Sequence, residues 1–185
     1  MGSSSSLYYR NEKTFPESFS LNLKSNANSL SEETKNVLRE SWKLVEPLKT
    51  VAGKKMFERM FGSHPEVIYL FPIFKGLTLR EILCSRALHL HVKKVMSALE
   101  NAVLSLNDAE KLTHYLINLG ERHRPWSVRM EHFDLLKESL LWTLQDMLQS
   151  KCTPGVSRAW SEMIDLVAEA MMQGLKSRHH VISNH

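Results

Sequence analysis

Leu88-His89-Leu90-His91-Val92-Lys93-Lys94-Val95-Met96-Ser97-Ala98-Leu99 is the stretch on which the fold turns. Leu88, Val92, Val95, Leu99, Val103 and Leu106 recur mostly three or four positions apart, as on one stripe of an amphipathic helix; a half-buried strand would alternate every second residue. His91 lies three positions after Leu88 and four before Val95, so it projects from that apolar stripe. His89, two positions away and about 200° around the helix, faces solvent.

The same spacing repeats on either side. Downstream, Leu112, Leu116 and Leu119 form a stripe that Asn107 or Asp108 can cap, and His123 follows Leu119 by four, in the last turn before Arg124-Pro125. His123 therefore faces inward as well, while His114, two positions off the stripe, faces out. Two further helices are expected over about 129–150, with Phe133, Leu136, Leu140, Leu144 and Met147, and over 154–176, with Trp160, Met163, Val167 and Met171. Thr153 caps the latter and Pro154 sits in its first turn. Upstream, Ser29 or Ser31 opens a helix carrying Leu38, Trp42 and Val45 that Pro47 stops or kinks, and a second runs over about 50–62 with Met56, Phe57, Met60 and Phe61. Glu66–Phe71 has room for only a turn or two, and Pro72–Leu79 reads as a loop.

Composition agrees with a purely helical chain. Among the 185 residues, Leu and Met number 36 against 17 for Val and Ile, with only seven Gly and six Pro, a balance that favours helices over a turn-rich sandwich or barrel. The expected fold is all-α, six to eight helices in one domain over residues 30–176. The longest run without Asp, Glu, Lys or Arg is nine residues, too short to cross a bilayer, which takes roughly 20. A net charge of +4, with basic residues in pairs such as Lys54-Lys55 and Lys93-Lys94, gives no nucleic-acid footprint. The two cysteines, Cys84 and Cys152, form no metal or redox spacing, and a reducing, cytoplasmic setting is expected.

Residues 1–29, with eight Ser and four Asn, read as a disordered arm, and residues 177–185 as a flexible tail. Met1-Gly2-Ser3-Ser4-Ser5-Ser6 fits the pattern for myristoylation of Gly2, which would attach the chain reversibly to the inner face of the plasma membrane. An expression leader or a chance serine run accounts for the same letters.

Two inward histidines on different helices suit a buried metal or cofactor, but a histidine on an apolar face is more often a hydrogen-bonded core residue, and hydrophobicity does not choose between them. Zinc lacks its ligand set, because a helix points His89 and His91 apart and no Cys or Glu completes a four-ligand spacing.

Taken in order, Trp42; Gly53-Lys54-Lys55-Met56-Phe57-Glu58-Arg59-Met60-Phe61; His64-Pro65-Glu66; Leu70-Phe71; His91-Val92-Lys93-Lys94-Val95-Met96; Leu119-Gly120-Glu121-Arg122-His123-Arg124; and Pro154 through Trp160 resemble the globin family, especially neuroglobin-like and nematode-type globins. The resemblance implies a globin fold around a haem b pocket. It makes His123 the proximal iron ligand and His91 the distal histidine. Phe71 would pack on the haem plane, Phe57 and Val95 would line the distal side, and Leu119 and Val128 the proximal wall. Lys94 would meet a propionate at the rim. Gly120 implies close approach of its backbone to another helix or to the ring.

Phe57 stands where many oxygen-avid invertebrate globins carry a tyrosine, which implies ordinary oxygen retention. The resemblance further implies binding of O2, CO and NO, a bis-histidyl hexacoordinate resting state and a redox or gas-sensing role. Nitrite reduction, nitric oxide or superoxide removal, and plain oxygen carriage or storage are the alternatives for the same pocket. A haem-free interaction module is the remaining one.

Overall fold

The structure, a computed structural model, describes residues 30–177; the arm at 1–29 with Gly2, and the chain beyond 177, lie outside the described residues. Seven α-helices make up the described chain: α1 (Glu32–Val45), α2 (Lys49–Ser63), α3 (Leu79–Cys84), α4 (Arg86–Leu104), α5 (Ala109–His123), α6 (Met130–Leu148) and α7 (Pro154–Lys176). No strand occurs among the described residues. The all-α expectation holds, as do most helix bounds.

The starts are set by short polar side chains. Ser31, not Ser29, caps α1 by accepting from the Thr34 N–H at 3.0 Å, Asp108 caps α5 through the Lys111 N–H, and Thr153 caps α7 with Pro154 behind it. Pro47 ends α1 in a 3₁₀ turn, Glu46–Leu48, rather than kinking a continuous helix.

The structure departs from the sequence expectation around residue 79. The loop beginning at Pro72 is a 3₁₀ turn, Pro72–Phe74, and a separate six-residue helix, α3, begins at Leu79 behind a reciprocal cap between Thr78 and Glu81. Ser85 then takes an extended backbone and caps α4 by accepting from the Leu88 N–H at 3.1 Å. Apolar periodicity runs through the break without a gap; only the two cap residues mark it. α4 also ends at Leu104, so Leu106 is buried from a turn.

The helices pack in layers of crossing pairs. α7 lies against α1, α5 and α6, and α2 against α4 and α6. Trp160 on α7 is fully buried, 6.0 Å from Trp42, and its indole N–H donates to Ser41 Oγ at 2.9 Å, which satisfies the one polar atom such a ring brings inside. Ion pairs tie helices at the surface: Lys49 to Glu100 at 2.6 Å, Lys137 to Asp165 at 2.7 Å, and Lys55 to Asp146.

The tightest crossing is α5 on α7, and two glycines make it. A Cβ on Gly120 would lie 2.0 Å from the Met171 carbonyl oxygen, and one on Gly174 would lie 2.0 Å from that of Ile117. Of the two explanations for Gly120, close approach to another helix is the one the structure shows.

Backbone cannot retreat as a side chain can. Gly120→Ala is therefore expected to lower the unfolding free energy by about 3 kcal/mol, the upper part of the range for overpacking. Gly62 has nothing within 4 Å of its virtual Cβ, so Gly62→Ala should raise it by about 0.5 kcal/mol through lost unfolded-state freedom. Urea unfolding of both variants checks the contrast.

Candidate functional site

Two imidazoles, His91 from α4 and His123 from α5, lie close enough to interact electrostatically, and the first is packed among phenyl rings. His91 sits one turn before Val95 on the inner stripe of α4, and its ring meets Phe57 of α2 with centroids 5.3 Å apart and Phe71 at 5.2 Å, both edge-on. Phe61 lies 5.5 Å from Phe57 and 5.6 Å from Phe71, and Phe74 stacks on Phe71 at 5.3 Å. The 3₁₀ segments Pro65–Leu70 and Pro72–Phe74 bring Phe71 and Phe74 to this cluster.

Phenyl walls give His91 no acceptor for its N–H and no donor to its lone pair. Among the described residues nothing hydrogen-bonds either ring nitrogen. Desolvation among these rings pushes its pKa down to about 4 from the usual 6.5; the nearby charge of His123 and then of Lys94 push the same way. His91 is thus neutral near pH 7, with a free lone pair.

His123, the last residue of α5, is held differently. Its Nδ1 lies 2.8 Å from the Leu119 carbonyl oxygen, which can only accept, so Nδ1 carries a proton and the neutral tautomer of this ring is the one with its lone pair on Nε2. Hydrogen bonding of one ring nitrogen to a backbone carbonyl is how metal-ligating histidines are usually oriented. His91 is therefore prepared as a nitrogen donor, and the neutral form of His123 offers Nε2 in the same role. No group of three or more His, Cys, Asp or Glu side chains suited to a metal converges among the described residues. The donor set is two nitrogens from opposite helices, which fits an iron whose remaining positions are filled by a planar macrocycle.

The other expected residues fall around this pair. Phe57 is 2% exposed. Phe71, Val95, Leu119 and Val128 are half-buried against the core, and Lys94 is exposed at the rim. His89 and His114 face solvent as expected. Gly2 lies outside the described residues. Sequence reasoning missed Trp126, whose ring lies 5.7 Å from that of His123; its signal was a bulky aromatic in a proline turn three positions beyond an inward histidine.

A helical bundle that sets a neutral imidazole among phenyl rings on one helix and a carbonyl-tethered imidazole at the end of the next has the architecture of a haem-binding globin, a class that takes small gaseous ligands such as oxygen. The chain belongs to the globin family: the family model described as Globin matches residues 54–171. It is 35% identical to the neuroglobin of Danio rerio over 78% of this chain and 92% of that one, and 34% identical over the same shares to neuroglobin-1 of Oncorhynchus mykiss. Among solved structures, a hexacoordinated heme protein from an anhydrobiotic tardigrade superposes with a TM-score of 0.74 at 23% identity, covering 80% of this chain and 97% of that one. The haemoglobin of the botfly Gasterophilus intestinalis gives 0.72 at 17% identity, covering 80% and 99%.

The low pKa of His91 makes stability pH-dependent in the haem-free protein. Between pH 6.5 and about 4 the unfolded chain binds a proton at this position that the folded chain does not, so stability falls as pH drops through the window and this contribution levels off below it. His91→Leu should reduce the loss between about pH 7 and about pH 4.5 by roughly 2 kcal/mol, after allowance for partial exposure, in paired urea titrations.

Proposed function

We propose that this globin holds haem b between His123, as proximal ligand, and His91, as distal ligand, in a bis-histidyl resting state, and that it serves redox or gas-sensing signalling rather than bulk oxygen carriage. The observation that carries the reading is the pairing of a histidine whose tautomer is fixed by the Leu119 carbonyl with a second, half-buried and neutral, that has no hydrogen-bond partner among the described residues. Held by these two residues, haem would supply an iron able to cycle between ferrous and ferric states and to take diatomic gases such as O2, CO and NO.

The chain's own groups divide the remaining work. His123 anchors, because its ring is tied to its own helix and that helix is locked to α7. His91 gates, because phenyl contacts hold it without direction and it must swing away before a gas takes its place. Phe57 brings no hydroxyl to the distal side, so His91 is the hydrogen-bond donor there once displaced. Phe71 provides the flat apolar face for the ring, and Lys94, exposed at the rim, the cation for a propionate. The tardigrade neighbour is itself described as hexacoordinated, in keeping with this state.

A ligand set that does not rearrange on electron transfer suits redox work, and a gas that must displace His91 suits a sensor. Myristoylation of Gly2 would place the protein reversibly at the cytoplasmic face of the plasma membrane, one acyl chain giving only marginal binding.

The visible spectrum of the dithionite-reduced protein tests the coordination: two sharp bands are expected, and a single broad high-spin band overturns it. His123→Ala should lose haem. His91→Leu should keep it, show the broad band and bind CO about 10- to 100-fold more tightly, since the competent state of the parent is then a minor one.

Mass spectrometry of protein made in a eukaryotic cell checks the lipid. Myristate on Gly2 is expected, and an unmodified N-terminus excludes the membrane role.

A further inference from the structure

His123 is the final residue of α5, and its backbone, at φ −88° and ψ −3°, has already left ideal helical values. A metal ligand at a helix end is exposed to fraying. The three residues that follow counter this.

Arg124 ties the chain to α7. Its Nε–H donates to the Gly174 carbonyl at 3.0 Å, and its other arm reaches Ser177 Oγ and, at 3.4 Å, the Glu121 carboxylate. Ser177 Oγ itself lies 3.2 Å from Glu121 and 3.0 Å from the Gly174 oxygen. Pro125 fixes the next φ. Ser127 closes the turn, its N–H donating to the Arg124 carbonyl at 3.3 Å, in a left-handed conformation at φ 51° that costs a non-glycine residue free energy.

Between these fixed points stands Trp126. It is 46% exposed, yet its ring meets the His123 imidazole 5.7 Å away at 65°. The Leu119 carbonyl fixes which nitrogen of His123 bears the proton, but carbonyl oxygens accept over a broad range of directions, so one such bond leaves the ring free to rotate. A tryptophan against the imidazole removes that freedom and shields it from solvent.

We propose that Arg124-Pro125-Trp126 is a clamp on the proximal ligand, in which Arg124 anchors the helix end and Trp126 is a positioning residue that fixes the rotation of the His123 imidazole. The proposal rests on the reading of His123 as the axial ligand of haem. It assigns a role to a surface aromatic that the core does not need.

The test uses reconstituted full-length protein with Trp126→Leu, which keeps apolar bulk without a ring, and Trp126→Phe, which restores one. Two readouts are taken: haem transfer to excess apomyoglobin, and the principal g values of the ferric protein in frozen solution. Trp126→Leu is expected to transfer haem about tenfold faster, as loss of an orienting partner of a ligand does, and to broaden and shift the g values as the ring orientation spreads; Trp126→Phe returns both toward the parent.

Parent-like g values and transfer rate in Trp126→Leu overturn the clamp and leave His123 as ligand. Altered transfer with unchanged g values also overturns it, because the residue is then packing alone. A parent that takes up no haem, or an unchanged spectrum in His123→Ala, overturns clamp and ligand assignment together.

Discussion

The backbone contact between α5 and α7 is the constraint from which the rest of the site follows. Gly120 and Gly174 let two helices approach until carbonyl oxygens occupy the space where β-carbons would stand. His123 is three residues, less than one turn, beyond Gly120, so the depth of the crossing fixes how far the imidazole projects into the interior. The same crossing brings the Gly174 carbonyl within reach of Arg124. Any residue larger than glycine at either point would part the helices and carry the imidazole with them. Stability and site geometry therefore depend on one pair of missing side chains.

The two histidines differ in how the fold holds them, and that asymmetry is the functional content of the structure. His123 has a directional hydrogen bond, a helix locked by glycines and a tethered turn. His91 has edge contacts with two phenyl rings and no directional partner. Ring contacts alone do not set which nitrogen of His91 bears the proton or where its lone pair points; at His123 the Leu119 carbonyl does that, and the Trp126 ring adds a steric stop to rotation about that bond. On the proposed bis-histidyl reading, a rigid donor and a loosely directed one would act as anchor and gate without any moving loop.

Much of this was legible because it rests on periodicity. Three-and-four spacing placed His91 and His123 inside and His89 and His114 outside, and the structure keeps all four there. The break between α3 and α4 escaped because Leu79, Leu83 and Ala87 continue a four-residue apolar spacing across it, so only Ser85 as cap announces the stop. Gly120 was visible as an oddity within a helix, but its partner Gly174 lies 54 positions away and one sequence contains no signal of their pairing. Long-range polar ties escaped for the same reason: nothing local in Arg124 points to Gly174 or Ser177. What a sequence displays is the face a residue presents; what it withholds is which distant backbone that face meets.

Local charge completes the distal side. Phenyl walls alone would keep His91 neutral by excluding water, and the charges of His123 and Lys94 push in the same direction. Neutrality is what an imidazole needs to donate its lone pair, since a proton and a metal compete for the same electrons. With the pKa held near 4, that competition is absent at physiological pH. If His91 is the distal ligand proposed above, a diatomic gas and not a proton is its competitor near neutral pH.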